Sequence, residues 1–283
     1  MSWTYILKID NGSWILKRIH KSAPPNPLTD FYAISQHKKS DWNDFRRYES
    51  AQSYNRLKEI IFQDQGDLCG YCEQSMINVD KSKTQIEHFH DKSDQDLTKT
   101  NWALDWNNVF GVCNAGVDEK ETHLLPRNLS CDGHKNHIKN KSKNLAVIEG
   151  EYLNPLEIPY DRIFNFNKVT GFLEPNVEVC QTLESYTPNH HESFTELVQK
   201  TIDILNLNCD RLAQKRLAVL HEYNRLLKNA RDKNNTQLLQ QLPQYWFQKK
   251  WPAFFTVRRC LLGERAEKYL AENGYGSHFS SDG

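Results

Sequence analysis

Between Cys69 and Lys135 the chain sets out a run of reactive side chains in a fixed order. It reads Cys69-Gly70-Tyr71-Cys72-Glu73, Ile86-Glu87-His88-Phe89, Asp105-Trp106-Asn107-Asn108-Val109, Cys113 and Cys131-Asp132-Gly133-His134-Lys135. Thiolates two residues apart suit a tetrahedral Zn²⁺. A carboxylate beside an imidazole suits other work, because the acid can hold a hard divalent cation while the imidazole takes a proton from water. Phosphodiester hydrolysis needs these parts: a base for water, a cation to stabilise charge on the phosphate and leaving oxygen, and ligands for that cation.

Cys69 and Cys72 form one knuckle of a candidate structural zinc site. Cys113 and Cys131 are the nearest candidates for the other two ligands. A second knuckle of ordinary spacing would end at position 116, which is Gly116. Cys131 must therefore be returned by a loop, with 114–130 as an insertion, and His134 or His137 could replace either cysteine. Taken singly, these cysteines also fit as small buried core residues. Cys180, Cys209 and Cys260 lie in periodic segments and read as core.

Glu87 and His88 are neighbours, so within a strand they point to opposite faces; at a strand end or bulge both can reach one site. Asp132, His134 or His137 could add a second cation ligand from a following helix. Lys135, Lys139, Lys141 and Lys143 form a local basic run suited to phosphates, although such a run also makes an ordinary solvated face.

These groups need elements to position them. Segment 69–144 is rich in turn-formers and fits two short strands leading to a helix. Before it, alternation of Trp3, Tyr5, Leu7 and Ile9 suggests a strand or extended arm, the prolines at 24, 25 and 27 interrupt regular structure, and Asp41 to Gln65 has helical spacing. After it come a strand at Arg162–Phe166 with a turn at Thr170-Gly171, then a helix with a stripe of Ala213, Leu217, Leu220 and Leu227 that starts near Asp210. Further helices are expected over Gln237–Trp246 and Pro252–Asn273, with a frayed tail over 274–283. The expected class is α+β, mainly helical: an N-terminal arm and helix over 1–68, a small core over 69–144, and a connecting segment with a helical region over 145–283.

The 283 residues contain 36 Lys+Arg and 36 Asp+Glu, so the net charge is zero and any nucleic-acid footprint must be local. No apolar run reaches the roughly 18 residues of a membrane span, and the N-terminus is too soon interrupted by charge for a signal peptide. Seven cysteines, four of them in the metal-like run, favour thiolate ligation over disulfides and a cytoplasmic setting.

The ordered motifs resemble the HNH, or ββα-metal, endonucleases. The resemblance implies Glu87 as the first metal-binding acid, His88 as general base and Asn108 as the asparagine that braces the loop and orients the histidine. It implies Asp132 as second metal ligand, with His134 as the alternative, and Lys135 as the phosphate-binding lysine. Val109 stands where that pattern has Leu, and Asp132 where Asn or His is usual. More narrowly, Cys-Gly-Tyr-Cys-Glu, Ile-Glu-His-Phe and Asp-Trp-Asn-Asn-Val-Phe are similar to the PtuB-type nuclease subunits of Septu and retron-associated anti-phage systems. That similarity extends to Ile19–Leu28, Asn154-Pro155-Leu156 and Leu205-Asn206-Leu207-Asn208.

The resemblance implies a zinc-stapled ββα-metal core with Mg²⁺ or Mn²⁺ at the cutting site and structural Zn²⁺ on Cys69, Cys72, Cys113 and Cys131. It implies DNA as substrate, with RNA the alternative, and an anti-phage role beside a PtuA-like ATPase subunit, with a retron reverse transcriptase and its DNA/RNA product as further partners. Tyr245, Trp246, Phe247 and Trp251 could be a docking surface, although such stripes are more often core. The rival reading is a non-catalytic zinc-stapled module that binds nucleic acid or protein. A small-molecule zinc hydrolase would need an open zinc position with three protein ligands, and no His-x-x-x-His spacing supports one.

Overall fold

The computed structural model describes residues 19–34, 39–94, 100–142, 148–159, 162–248 and 251–273. The expected strand at residues 3–9 and the expected tail at 274–283 lie outside them. The architecture is α+β, with helices predominant and two small two-stranded sheets.

The chain enters through α1 (Pro27–Ala33), started by Pro27 and by an Asn26–Thr29 capping box. Asp41 and Asp44 form a second capping box at α2 (Trp42–Arg47). One helix was expected from Asp41 to Gln65. Instead Glu49, Ser50 and Ala51 take positive φ, the chain turns, and α3 (Gln52–Asp64) begins afresh. The turn lets α1, α2 and α3 close on a small core of Leu28, Phe31, Trp42, Phe45, Leu57 and Ile61, completed by Leu104, Trp106 and Val109.

Strand β1 (Thr84–His88) pairs antiparallel with β2 (Val109–Cys113), Glu87 opposite Phe110 and His88 opposite Val109. All of β2 is buried. At Gly111 an added Cβ would lie 2.6 Å from the Phe62 ring, so only glycine lets β2 meet α3 this closely. The buried Gln65 amide ties the same join, donating to the carbonyls of Leu68 and Gly111 and accepting from the Gly111 N–H. Helix α4 (Cys131–Ser142) follows, so the segment holds the two strands and helix expected of it.

The remaining chain forms a frame around this unit. β3 (Phe164–Phe166) and β4 (Leu173–Pro175) make the second hairpin, and α5 (Val177–Gln181), α6 (Phe194–Ile204), α7 (Asp210–Asp232) and α8 (Leu238–Phe247) follow. The helix expected over 252–273 is broken at Gly263, φ +56°, into α9 (Phe255–Leu262) and α10 (Glu264–Glu272). The larger core packs Cys69, Tyr71, Phe110 and Val112 together with Phe194, Leu205, Phe247 and Phe255. Cys180 and Cys209 lie in it as expected, with Cys260 at its edge.

Of the two readings of the C-terminal aromatics, core rather than docking surface holds for three of the four. Trp246, Phe247 and Trp251 are buried and Tyr245 alone of the four is exposed. Their rings pack inward, Trp246 against Tyr223 at 5.9 Å and Trp251 against Phe255 at 4.6 Å. Among the described residues no helix is long and apolar enough to cross a membrane.

Candidate active site and the adjoining cysteine cluster

The Sγ atoms of Cys69, Cys72, Cys113 and Cys131 lie within 4.8 Å of one another, and all four residues are buried. The separations are 3.9 Å for Cys69–Cys131 and for Cys72–Cys113, and 3.8 Å for Cys113–Cys131. A tetrahedron with Zn–S bonds of about 2.3 Å has edges of about 3.8 Å, so the sulphurs already have a zinc site's spacing. The insertion makes this possible. The Asn206 amide donates to Arg127 and Leu129, and the Cys131 N–H donates to the Leu205 carbonyl at 2.7 Å. This clamps the loop onto the α6–α7 turn. Neither His134 nor His137 is among the four, and His134 instead meets the Ile204 carbonyl through Nδ1.

Burial raises the Cys69 thiol, but hydrogen bonds from Cys113, Cys131 and Cys72 outweigh it and hold Cys69 well below the usual range. Cys113 gains some relief from Cys131, yet contacts with Cys69 and Cys72 and burial push it well up; burial and the other sulphurs push up Cys131. All four can be thiolates together only around a divalent cation, and that complex has a net charge of about −2. Two buried arginines of α7 face it. Arg211 donates to Ser130 Oγ at 2.7 Å, and Ser130 Oγ lies 3.5 Å from Cys131 Sγ. Arg216 donates to the Leu207 carbonyl at 2.7 Å, and among the described residues no carboxylate reaches it in an ion pair. Burial would lower Arg211, and the cysteines, led by Cys72, turn the balance upward. At Gly116, φ +89°, an added Cβ would fall 2.4 Å from Arg211 Nε, so this glycine makes room for the guanidinium. The donor set and its surroundings fit zinc.

A cleft opens beyond the same hairpin, lined by Glu87, His88, Asp91, Asp132, Lys135 and Tyr152 among others. At the C-terminal end of β1 both Glu87 and His88 are buried. The Lys135 ammonium contacts Glu87 Oε1 and lies 3.1 Å from Asp132 Oδ1. It therefore sits between two carboxylates from different elements. Burial pushes Asp132 up to about 6, and burial with the Lys139 charge pulls Lys135 down to about 7.

The ring of His88 packs edge-on against Trp42 at 4.4 Å, and its Nε2 lies 3.1 Å from the Ala103 carbonyl. A carbonyl only accepts, so the proton is on Nε2 and Nδ1 keeps its lone pair. Burial lowers His88 to about 4, so the imidazole is neutral at pH 7. Asn108 is buried; its Nδ2 donates to the His90 and Trp102 carbonyls and its Oδ1 accepts from the His90 N–H. One side chain thus holds the loop after β1 against the loop before β2.

Of the lysine run, Lys135 and Lys139 are both ion-paired, Lys139 with Asp91; the Lys141 and Lys143 side chains lie outside the description. His134 faces α6 and does not line the cleft. Sequence reasoning missed Asp91, Lys92 and Tyr152, which line the cleft, and His90, which stacks on Trp102 at 4.1 Å between Glu149 and Asp94. Asp91 and Lys92 could have been found from their place just after Glu87-His88; Tyr152, 20 positions beyond Asp132, carried no such signal.

No protein-family model matches the chain. Over 249 residues it is 36% identical to an Escherichia coli protein named "Retron Ec83 putative HNH endonuclease", an alignment covering 87% of this chain and 93% of that protein. The chain belongs to the HNH endonucleases. It is an enzyme of phosphodiester hydrolysis, and its substrate is nucleic acid.

Proposed function

We propose that β1, β2 and α4 form a ββα-metal core that cuts DNA, with RNA as the alternative substrate, using one divalent cation held by Glu87 and Asp132. The observation that carries the reading is the convergence of Glu87 and Asp132 on one buried cation, the Lys135 ammonium, beside a neutral histidine. Mg²⁺ or Mn²⁺, hard ions that prefer oxygen ligands, would supply Lewis-acid stabilisation of the phosphate and leaving oxygen.

His88 Nδ1 takes a proton from water as the water oxygen attacks phosphorus and the P–O bond to the leaving oxygen breaks. The Ala103 carbonyl keeps the opposite nitrogen protonated, which leaves Nδ1 free for that proton. Asn108 holds the loop in position. Lys135, displaced from the carboxylates, turns its charge to the phosphate, and Lys92 at the exposed rim adds a second positive charge. Zinc on the four cysteines holds β2 and the start of α4 together. Segments 1–68, 69–144 and 145–283 serve as arm, cutting core and frame.

His88→Ala is expected to lower Mg²⁺- or Mn²⁺-dependent cleavage by about 10²- to 10⁴-fold, with melting temperature and zinc content kept. Full activity would sink the base assignment. Asp132→Ala should abolish cleavage and His134→Ala should spare it; the reverse would make His134 the ligand. The retron named for the relative supports a further reading: an anti-phage effector of PtuB type, held quiet by an ATPase subunit of PtuA type and associated with a retron reverse transcriptase and its DNA/RNA product. Tagged protein from its native host should bring down an ATPase, and that assembly should cut nucleic acid; isolation alone under those conditions would refute the partnership.

A further inference from the structure

Two tyrosines close the floor of the cleft in a way the cutting chemistry above leaves unused. Tyr152 is 2% exposed and lines the cleft with Glu87, His88, Asp132 and Lys135. Tyr71, from the zinc knuckle, packs behind it with ring centroids 6.4 Å apart, and Phe89 flanks Tyr152 at 5.1 Å. Both hydroxyls are buried, and neither closes a hydrogen bond of good geometry. A buried hydroxyl left without a partner destabilises the fold, so such a feature needs an explanation.

The surroundings indicate what the Tyr152 hydroxyl is for. Ile86 and Ile148 are the apolar residues that share this cleft wall, and Phe89 packs against the Tyr152 ring from behind. Burial raises both phenols, and the Asp132 carboxylate raises both further. Each therefore keeps its O–H, a donor within the field of that acid. Neither hydroxyl has a hydrogen-bond partner, so neither proton is committed elsewhere. The Tyr152 proton is then left for the cleft.

We propose that Tyr152 is a positioning residue of the cutting site, its hydroxyl donating a hydrogen bond on the Asp132 side of the cleft to orient the oxygens that hold the divalent cation. The inference rests on Glu87 and Asp132 as the cation's ligands. Partners that orient ligating carboxylates commonly change metal affinity by about 10- to 100-fold when removed.

The test uses full-length, zinc-loaded protein and titrates Mn²⁺ alone, with no nucleic acid, by calorimetry or electron paramagnetic resonance. Tyr152→Phe is expected to weaken Mn²⁺ binding about tenfold, to leave zinc content unchanged and to leave the melting temperature equal or higher, because an unmet hydroxyl is removed. Tyr71→Phe should weaken Mn²⁺ binding less, since Tyr71 packs behind Tyr152 and does not line the cleft. If Tyr152→Phe binds Mn²⁺ like the parent while Asp132→Ala does not bind it, the Tyr152 assignment is overturned and the cutting-site reading stands. If Asp132→Ala also binds Mn²⁺ normally, the cutting-site reading itself has failed. A lower melting temperature in Tyr152→Phe with unchanged Mn²⁺ affinity would make the tyrosine a packing residue only and overturns the proposal.

Discussion

The two ends of the β1–β2 hairpin unit are built to opposite rules. On one, four sulphurs at 3.8–3.9 Å, a glycine cut away for Arg211 and a second buried arginine make a closed set in which charge meets counter-charge. On the other, a lysine lies between two acids, a histidine is kept neutral by burial and two phenols lack partners, all beside a cleft. On the function proposed above, the contrast separates a site that holds the fold from one that performs a reaction. The first gathers its thiols around one metal position away from solvent, and the second leaves its groups beside an open cleft.

The strongest way to break the contrast is to open the closed side. Cys131→Ser should lose zinc and with it the cooperative fold of the core, because structural zinc is worth about 10–16 kcal/mol in small metal-stapled units. Metal analysis and circular dichroism read it, and a folded, zinc-free variant would show that the frame alone holds the fold. Next in size, Lys135→Met removes the only cation between Glu87 and Asp132 among the described residues and should cost about 3–5 kcal/mol. Added Mn²⁺ should then raise its melting temperature more than that of the parent; an equal rise would mean that the two acids are not a cation seat. Arg216→Met should cost a similar few kcal/mol, about 3, but here zinc should leave faster on challenge with a chelator, and Mn²⁺ should restore nothing. That difference between two buried cations tests the contrast directly.

The smallest effect concerns His90 at the rim. Burial lowers this imidazole, but the hydrogen bonds it donates to Glu149 and Asp94 outweigh it and raise it above the usual histidine range. A raised histidine contributes stability that is fully present below its unfolded value, near 6.5, and is lost as pH rises through the folded value. The melting-temperature gap between the parent and His90→Gln should thus be widest near pH 6 and close in alkali. At a partly exposed site it amounts to about 1 kcal/mol or less. A gap that widens with pH would reverse the sign of the assignment.

The parts of the site most legible in sequence were those whose chemistry is local. The Cys69–Cys72 pair, Glu87-His88, Asn108 and Asp132 announce themselves by type and spacing, and the structure brings them around one hairpin. The α7 helix was legible from the stripe of Ala213, Leu217 and Leu220. Arg211 and Arg216 were not, because a counter-ion is defined by what lies across space, and on a helix an arginine reads as solvated. Tyr152 was hidden for the same reason. The break at Tyr48–Ala51 was missed because no Pro or Gly marks it; three positive-φ residues hold a turn stabilised by the closure of α1–α3 on their core. At 252–273 the signal existed in Gly263 and was overridden by the helical spacing on either side.

Cys131 and Asp132 are consecutive, and Cys131 has a left-handed φ of +54°. One peptide bond therefore joins the thiolate cluster to the carboxylate of the cutting site, through a backbone conformation that a free chain seldom adopts. The direction in which Asp132 faces is inherited from the sulphur beside it. A newly synthesised chain that has not yet taken up zinc would carry every group of the cutting site and lack its alignment. On the function proposed above, the capacity to cut would depend on metal at the cysteines as well as at the carboxylates.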